Sequence, residues 1–258
     1  MPIDDDPFEA RWASSPATAG PWHPGQQHGG PPNALAVAVA ERALAAATGR
    51  SDLTALRLAS DFVGPVPVAE VTSRARVVRA ARSAALVEVV LAAAGRDCLI
   101  VRVWFVRASD TAAIAPAQPE QRPVPDIAEG LDARFPYAQS IEWRLVHGGM
   151  SQPGPGAAWA RPRTVLAEGY EYSGLARTVL IADSASGLSA TLDWAEWTFL
   201  NVDLDVHLAR PMHGDWLLLD ATTQLSDSGS GLARSTISDG RGLLGSGLQT
   251  LVVAPIRR

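Results

Sequence analysis

Asp203, Asp205 and His207 stand at alternate positions of one strand-like run, opposite Val202, Leu204, Val206 and Leu208. Alternation places the three on one strand face. A carboxylate there can act as general base toward a water, and the row can also be read as cation ligands or as an ordinary solvated face. Gln249 is a different signal. It shares a face with Leu251 and Val253, so its amide points into apolar surroundings, where it must find hydrogen-bond partners or serve a ligand. Thr222, Thr223 and Gln224 offer two hydroxyls and an amide on a strand between these two. His28-Gly29-Gly30 precedes Pro31-Pro32, a helix start. Free N–H groups at such a start suit a developing oxyanion, and glycine lets a substrate approach the backbone closely. His28 can equally satisfy its own loop, and the two glycines can simply permit a turn. No G-x-S-x-G is present, and Cys98, the single cysteine, lies in an apolar strand-like run without an electropositive neighbourhood. The residues therefore point to water chemistry rather than to a serine or cysteine nucleophile.

The rest of the composition narrows the setting. Apolar residues make up 47% and charged residues 19% of 258 residues, an ordinary globular balance. The net charge is −5, Arg supplies every fixed positive charge because Lys is absent, and no basic patch is concentrated enough to expect nucleic acid. Residues 1–7 are acidic where a secretory signal would be basic, and the longest apolar run, 84–95, is interrupted by Glu88 and too short for a bilayer. A cytoplasmic protein without membrane contact is expected.

Positioning these residues requires a repeated set of elements. Phe8 to Ala13 suits a strand. Asn33 to Thr48 is a run of strong helix formers ending at Gly49, apolar all round and so buried. Strands follow over 56–63, 68–79, 83–94 and 98–106, and the Pro-rich segment 112–125 reads as a crossing linker. The order then returns: strands over 140–147 and 158–163, a helix over 171–185 with an apolar stripe, and strands over 200–208, 216–225, 231–239 and 243–253. Two copies of a strand–helix–four-strand unit fill residues 1–111 and 135–258, joined by 112–134.

A buried helix wrapped by antiparallel strands, present twice, resembles the acyl-CoA thioesterase II family and its double hotdog, an α+β fold with two antiparallel sheets each wrapping a long helix. Three stretches carry the resemblance: His28-Gly29-Gly30-Pro31-Pro32; Asp203 to Pro211 followed by Gly214-Asp215-Trp216-Leu217-Leu218; and Gly231-Leu232-Ala233-Arg234 followed by Ser246-Gly247-Leu248-Gln249-Thr250. The resemblance implies hydrolysis of an acyl-CoA to free acid and CoA by a water that an Asp, a hydroxyl and a Gln of the second unit hold. Counting from Arg210-Pro211 places the Asp at Asp203, and the last strand places the Gln at Gln249. Counting from Trp216 lands on Gln224, so the hydroxyl is Thr223, with Thr222 beside it, or an amide has replaced it.

By the same count Arg57, not Asp61, corresponds to Asp203 in the first unit, which leaves one carboxylate site per chain. His28, Gly29, Gly30 and Gln224 are the expected substrate contacts, with no metal or redox cofactor. Trp194 and Trp197 suit an acyl tunnel or core packing, and Arg210 is one of many arginines able to meet CoA phosphates. The family implies a homodimer or higher homo-oligomer. Two other functions fit the layout: an acyl-CoA binding protein without catalysis, and a hotdog enoyl-CoA hydratase, whose Asp…Asn-Pro…His stretch is absent here.

Overall fold

Small side chains dominate the first helix, and they decide how closely the structure can pack around it. The computed structural model describes residues 2–116, 123–125, 134–149 and 152–256; much of the expected linker, 117–122 and 126–133, lies outside the described residues. Strands β1 (Pro2–Asp5) and β2 (Glu9–Ala13) lead to α1 (Gly30–Thr48), which ends at Gly49 in the left-handed conformation, φ 63°. Strands β3 (Leu53–Phe62), β4 (Glu70–Ala80), β5 (Ala84–Ala93) and β6 (Arg96–Arg107) complete the first half. The second half runs α2 (Pro136–Gln139), β7 (Ile141–Gly149), β8 (Gln152–Pro162), α3 (Gly174–Ala182), α4 (Ala185–Leu188), β9 (Trp197–Asn201), β10 (Asp203–Leu208), β11 (Leu217–Leu225), β12 (Ser230–Asp239) and β13 (Gly242–Pro255).

All strand pairings between these elements are antiparallel, and they form one continuous sheet in the order β1-β2-β4-β5-β6-β3-β10-β13-β12-β11-β8-β7, with β9 paired to β13. The halves therefore join edge to edge through β3 and β10, in register from Asp61 opposite Asp203 to Arg57 opposite His207. The expected separate sheets are fused at this seam. The expected single helix over 171–185 is also broken: α3 stops at Ala182, with Asp183 as its C-cap, and α4 restarts at Ala185. The expected strand over 200–208 is divided at Val202.

The helices pack on one face of the sheet. Ala34, Ala36, Val37, Ala40 and Ala43 of α1 meet Val87, Val89, Val101 and Val103 in one buried cluster that also takes in Leu175, Val179 and Ile181 of α3. α1 and α3 lie against each other, and Gly30 permits this: a Cβ there would stand 2.3 Å from the Leu180 carbonyl oxygen. The start of α1 thereby meets the end of α3. No helix among the described residues is long and apolar enough to cross a membrane.

Candidate active site

The junction between the start of α1 and the end of α3 holds a buried carboxylate. Asp183 caps the C-terminus of α3, where the helix dipole disfavours negative charge, and its side chain is only 2% exposed. Three donors offset that cost. Asn201 Nδ2 donates to Oδ1 at 2.8 Å, Gln249 Nε2 donates to Oδ1 at 3.2 Å, and His28 Nδ1 lies 2.9 Å from Oδ2. The N-terminal end of α1 adds favourable potential from the other side. Gly29 is required here, because a Cβ would stand 2.7 and 2.9 Å from the two carboxylate oxygens.

Gln249 is the clamp of this junction. It projects from β13 and is 1% exposed. Its Nε2 also donates to the Asp183 carbonyl at 3.0 Å, while its Oε1 accepts from the Ser186 N–H at 3.2 Å, so one amide ties the α3–α4 break to the sheet. Tyr137 closes the opposite side: its O–H donates to the Leu180 carbonyl at 2.6 Å, leaving Ser184 Oγ, 3.0 Å away, as donor to the phenol oxygen. Burial pushes the Tyr137 phenol well above its ordinary range, so it stays a neutral donor. The His28 ring stacks on Tyr137 with centroids 3.8 Å apart and planes 7° from parallel.

A cavity of about 370 Å³ opens onto His28, Gly29, Asp183 and Asn201. Five aromatic side chains, Trp22, Phe62, Phe135, Trp194 and Phe199, contribute to the rest of its wall. Trp22 stacks on Trp194 at 5.3 Å, and Phe199 meets both edge-on. A few polar groups at one end of an apolar cleft is the usual build of a small-ligand site.

The expected site residues divide sharply. Asp203 and Gln249 do not meet. Thr250, the residue after Gln249, points to the exposed face, and the Asp203 carboxylate accepts from the Thr250 N–H at 2.5 Å and from its hydroxyl at 3.1 Å. Strand alternation is the reason: Gln249 faces the helices and Asp203 faces away. Asp205 pairs with Arg57 at 3.1 Å and His207 is exposed, so the row 203–207 is an outer-face row.

On β11, Leu217, Leu219, Ala221 and Thr223 face inward, whereas Thr222 and Gln224 face out. Gln224 accepts from Arg234 at 2.8 Å and makes no part of the cavity wall. Thr223 hydrogen-bonds Ser189 Oγ at 2.8 Å and stands in the same cross-strand row as Gln249, with Ala233 between them. Gly30 serves helix contact rather than ligand approach, and its N–H lies 3.2 Å from His28 Nδ1. Since Pro31 and Pro32 have no N–H, the Gly29 N–H is the donor of this turn left without a partner among the described residues. Trp194 lines the cavity and Trp197 begins β9. Arg210 is held in two short contacts to the buried Asp239, at 2.7 and 2.8 Å, and is committed to structure.

Asp183 itself went unassigned by sequence, although one signal marks it: an acid inside the apolar stretch Leu180-Ile181-Ala182 and Ala185, with no base within one turn. Comparison with known proteins bears on what this arrangement is for. A family model described as the acyl-CoA thioesterase N-terminal domain matches residues 18–106, and one described as the C-terminal domain of the same enzymes matches 109–253. The chain belongs to the acyl-CoA thioesterase family. Among solved structures it is similar to an acyl-CoA thioesterase II, TesB2, from Mycobacterium marinum (15% identity, 99% of this chain and 95% of that one, TM-score 0.72). It is also similar to a tesB protein from Mycobacterium avium subs paratuberculosis (14%, 98% and 96%, 0.71) and to a conserved hot dog fold protein of unknown function from Alicyclobacillus acidocaldarius (17%, 98% and 96%, 0.74). At such identities these likenesses show the fold alone. No curated protein matches the chain. Within this acyl-CoA thioesterase family member, the two matched models meet near residue 107, so the α1–α3 junction combines residues of both: His28 and Gly29 from the first, Asp183, Asn201 and Gln249 from the second.

Proposed function

We propose that this protein hydrolyses an acyl-CoA thioester to a free acid and CoA, at a site built around Asp183 where two hotdog units, residues 1–111 and 135–258, meet. The observation that carries this reading is the buried Asp183 carboxylate, held by His28, Asn201 and Gln249 at the polar end of an aromatic cavity. Asp183 takes the role that counting had given to Asp203, and it is the negative charge on which removal of the attacking water's proton depends. Gln249 positions it. Thr223 supports α4 through Ser189 at the far end of the same row. The Gly29 N–H is placed to receive the oxyanion, with the positive end of α1 behind it. Thiolate is a good leaving group, so no strong acid is required. The aromatic wall receives the acyl group, excluding bulk water from the carbonyl.

The test is release of free thiol from a panel of acyl-CoAs by the purified protein and by Asp183→Asn. Turnover by the wild type that falls by about two orders of magnitude or more in the variant is expected. Binding of acyl-CoA with no thiol release from any member of the panel would contradict the reading and favour a carrier of the same fold.

A further inference from the structure

The Asp183 carboxylate has little room left for a water. A carboxylate offers about four acceptor positions. Asn201 and Gln249 occupy two on Oδ1, and His28 Nδ1 takes one on Oδ2. The group is almost entirely enclosed, whereas the His28 side chain is 12% exposed and lines the cavity. With Nδ1 turned to Asp183, the other ring nitrogen, Nε2, is the one left for the cavity, and it has no hydrogen-bond partner among the described residues. The ring cannot easily swing, because it is stacked on Tyr137, and Phe135 lies parallel to it at 6.1 Å.

We propose that His28 is a catalytic residue whose Nε2 takes the proton of the attacking water, with Asp183 acting through it. The proposal rests on the thioesterase reading above. Between Nδ1 and Oδ2 at 2.9 Å a proton is required, since an unprotonated nitrogen facing a carboxylate would set two acceptors against each other. With its proton in place, Nδ1 cannot accept from the Gly30 N–H 3.2 Å away, so this tautomer leaves that N–H beside the Gly29 N–H as a second donor of the turn. A proton on Nδ1 leaves the Nε2 lone pair free, the tautomer a base needs, and the carboxylate stabilises the imidazolium that forms. Asp183 and Tyr137 are the ionisable groups in contact with the ring, and His23 lines the same cavity.

The step balances with water as the only co-reactant. The water oxygen forms a bond to the acyl carbon as its proton passes to Nε2, and the carbonyl oxygen becomes the oxyanion facing the Gly29 N–H. Collapse of that intermediate breaks the C–S bond. The departing thiolate recovers the proton from Nε2, giving CoA thiol and the acid.

Two variants separate this role from a merely positional one. His28→Asn keeps an amide N–H where Nδ1 stands, and so the hydrogen bond to Asp183, but has nothing where Nε2 stands. His28→Ala removes both and leaves a hole for added imidazole. The proposal expects both variants to lose roughly a hundredfold in kcat with KM little changed. It also expects the wild-type acid limb, set by imidazole protonation, to vanish from the residual activity of His28→Asn, and imidazole in the medium to restore part of the His28→Ala rate. His28→Asn within about threefold of wild type, with its acid limb intact, while Asp183→Asn is inactive, would overturn this proposal and leave the thioesterase reading standing. A wild-type protein that releases no thiol would overturn both.

Discussion

The helix pair α1–α3 has two ends, and they have been treated differently. At one end the start of α1 meets Asp183 with His28, Asn201 and Gln249 around it. At the other, Glu41 of α1 lies against Ser173, the N-cap of α3, beside Leu44 and Met212. Both ends set an acid of one helix against the start of the other, with Asp183 buried and Glu41 partly exposed. The sheet beneath them explains why they differ. Superposing Pro65 on Pro211 brings the register of the two halves into coincidence: Val77, Val87 and Val103 pair across β4, β5 and β6 as Thr223, Ala233 and Gln249 pair across β11, β12 and β13. Where one half offers a hydroxyl, a small gap and an amide, the other offers three valines. Glu41 therefore has no amide clamp from the sheet, and burial pushes its carboxyl up to about 7, only partly countered by its hydrogen bond to Ser173. The two halves present matching junctions, and the residues in one cross-strand row decide which of them gives its carboxylate an amide donor from the sheet.

The largest way to break this contrast, short of removing the carboxylate, is Gln249→Leu. It should lower kcat/KM for thiol release by about 10²-fold, because Asp183 loses a donor and the Ser186 N–H loses its acceptor. The reciprocal change, Val103→Gln, should create no second site. It places an amide among apolar side chains without partners and should destabilise the fold by about 1–3 kcal/mol in a denaturant titration, with activity preserved.

A comparable loss is expected of Gly30→Ala. Its Cβ collides with the Leu180 carbonyl and cannot be relieved by a side-chain rotation, so a cost of about 1–3 kcal/mol should appear in thermal melts. The smallest effect concerns Glu41. Its carboxyl is raised from 4.5 to about 7, so the unfolded chain releases this proton first as pH rises. The stability it permits is complete below about 4.5 and is lost as pH passes through about 7. Glu41→Gln should therefore melt a few degrees above wild type at pH 8, with the difference closing toward pH 4 and turnover unchanged.

Much of this organisation was legible in the sequence because it rests on local rules. The first helix is bounded by Pro31 and Gly49, the strand 203–208 announces its buried face by alternation, and Gln249 stands out as an amide on an apolar face. The site was half legible for the same reason. Alternation identified the inward Gln249, and it also placed Asp203 on the opposite side, which counting back from Pro211 overrode. Asp183 was hidden by helix propensity, which runs smoothly through to Ala185. What breaks the helix there is tertiary: Gln249, arriving from 66 residues away, captures the Asp183 carbonyl and the Ser186 N–H at once. The seam between β3 and β10 was equally unreadable, since edge pairing depends on which edges the fold leaves open.

On the proposed reading the working carboxylate sits at the helix junction and not on the neighbouring strand. Asp183→Asn and Asp203→Asn, assayed side by side for thiol release from the best acyl-CoA substrate, test it most directly. A loss of about 10² or more is expected for the first and a rate within about threefold of wild type for the second. Near-normal turnover by Asp183→Asn with an inactive Asp203→Asn would contradict it.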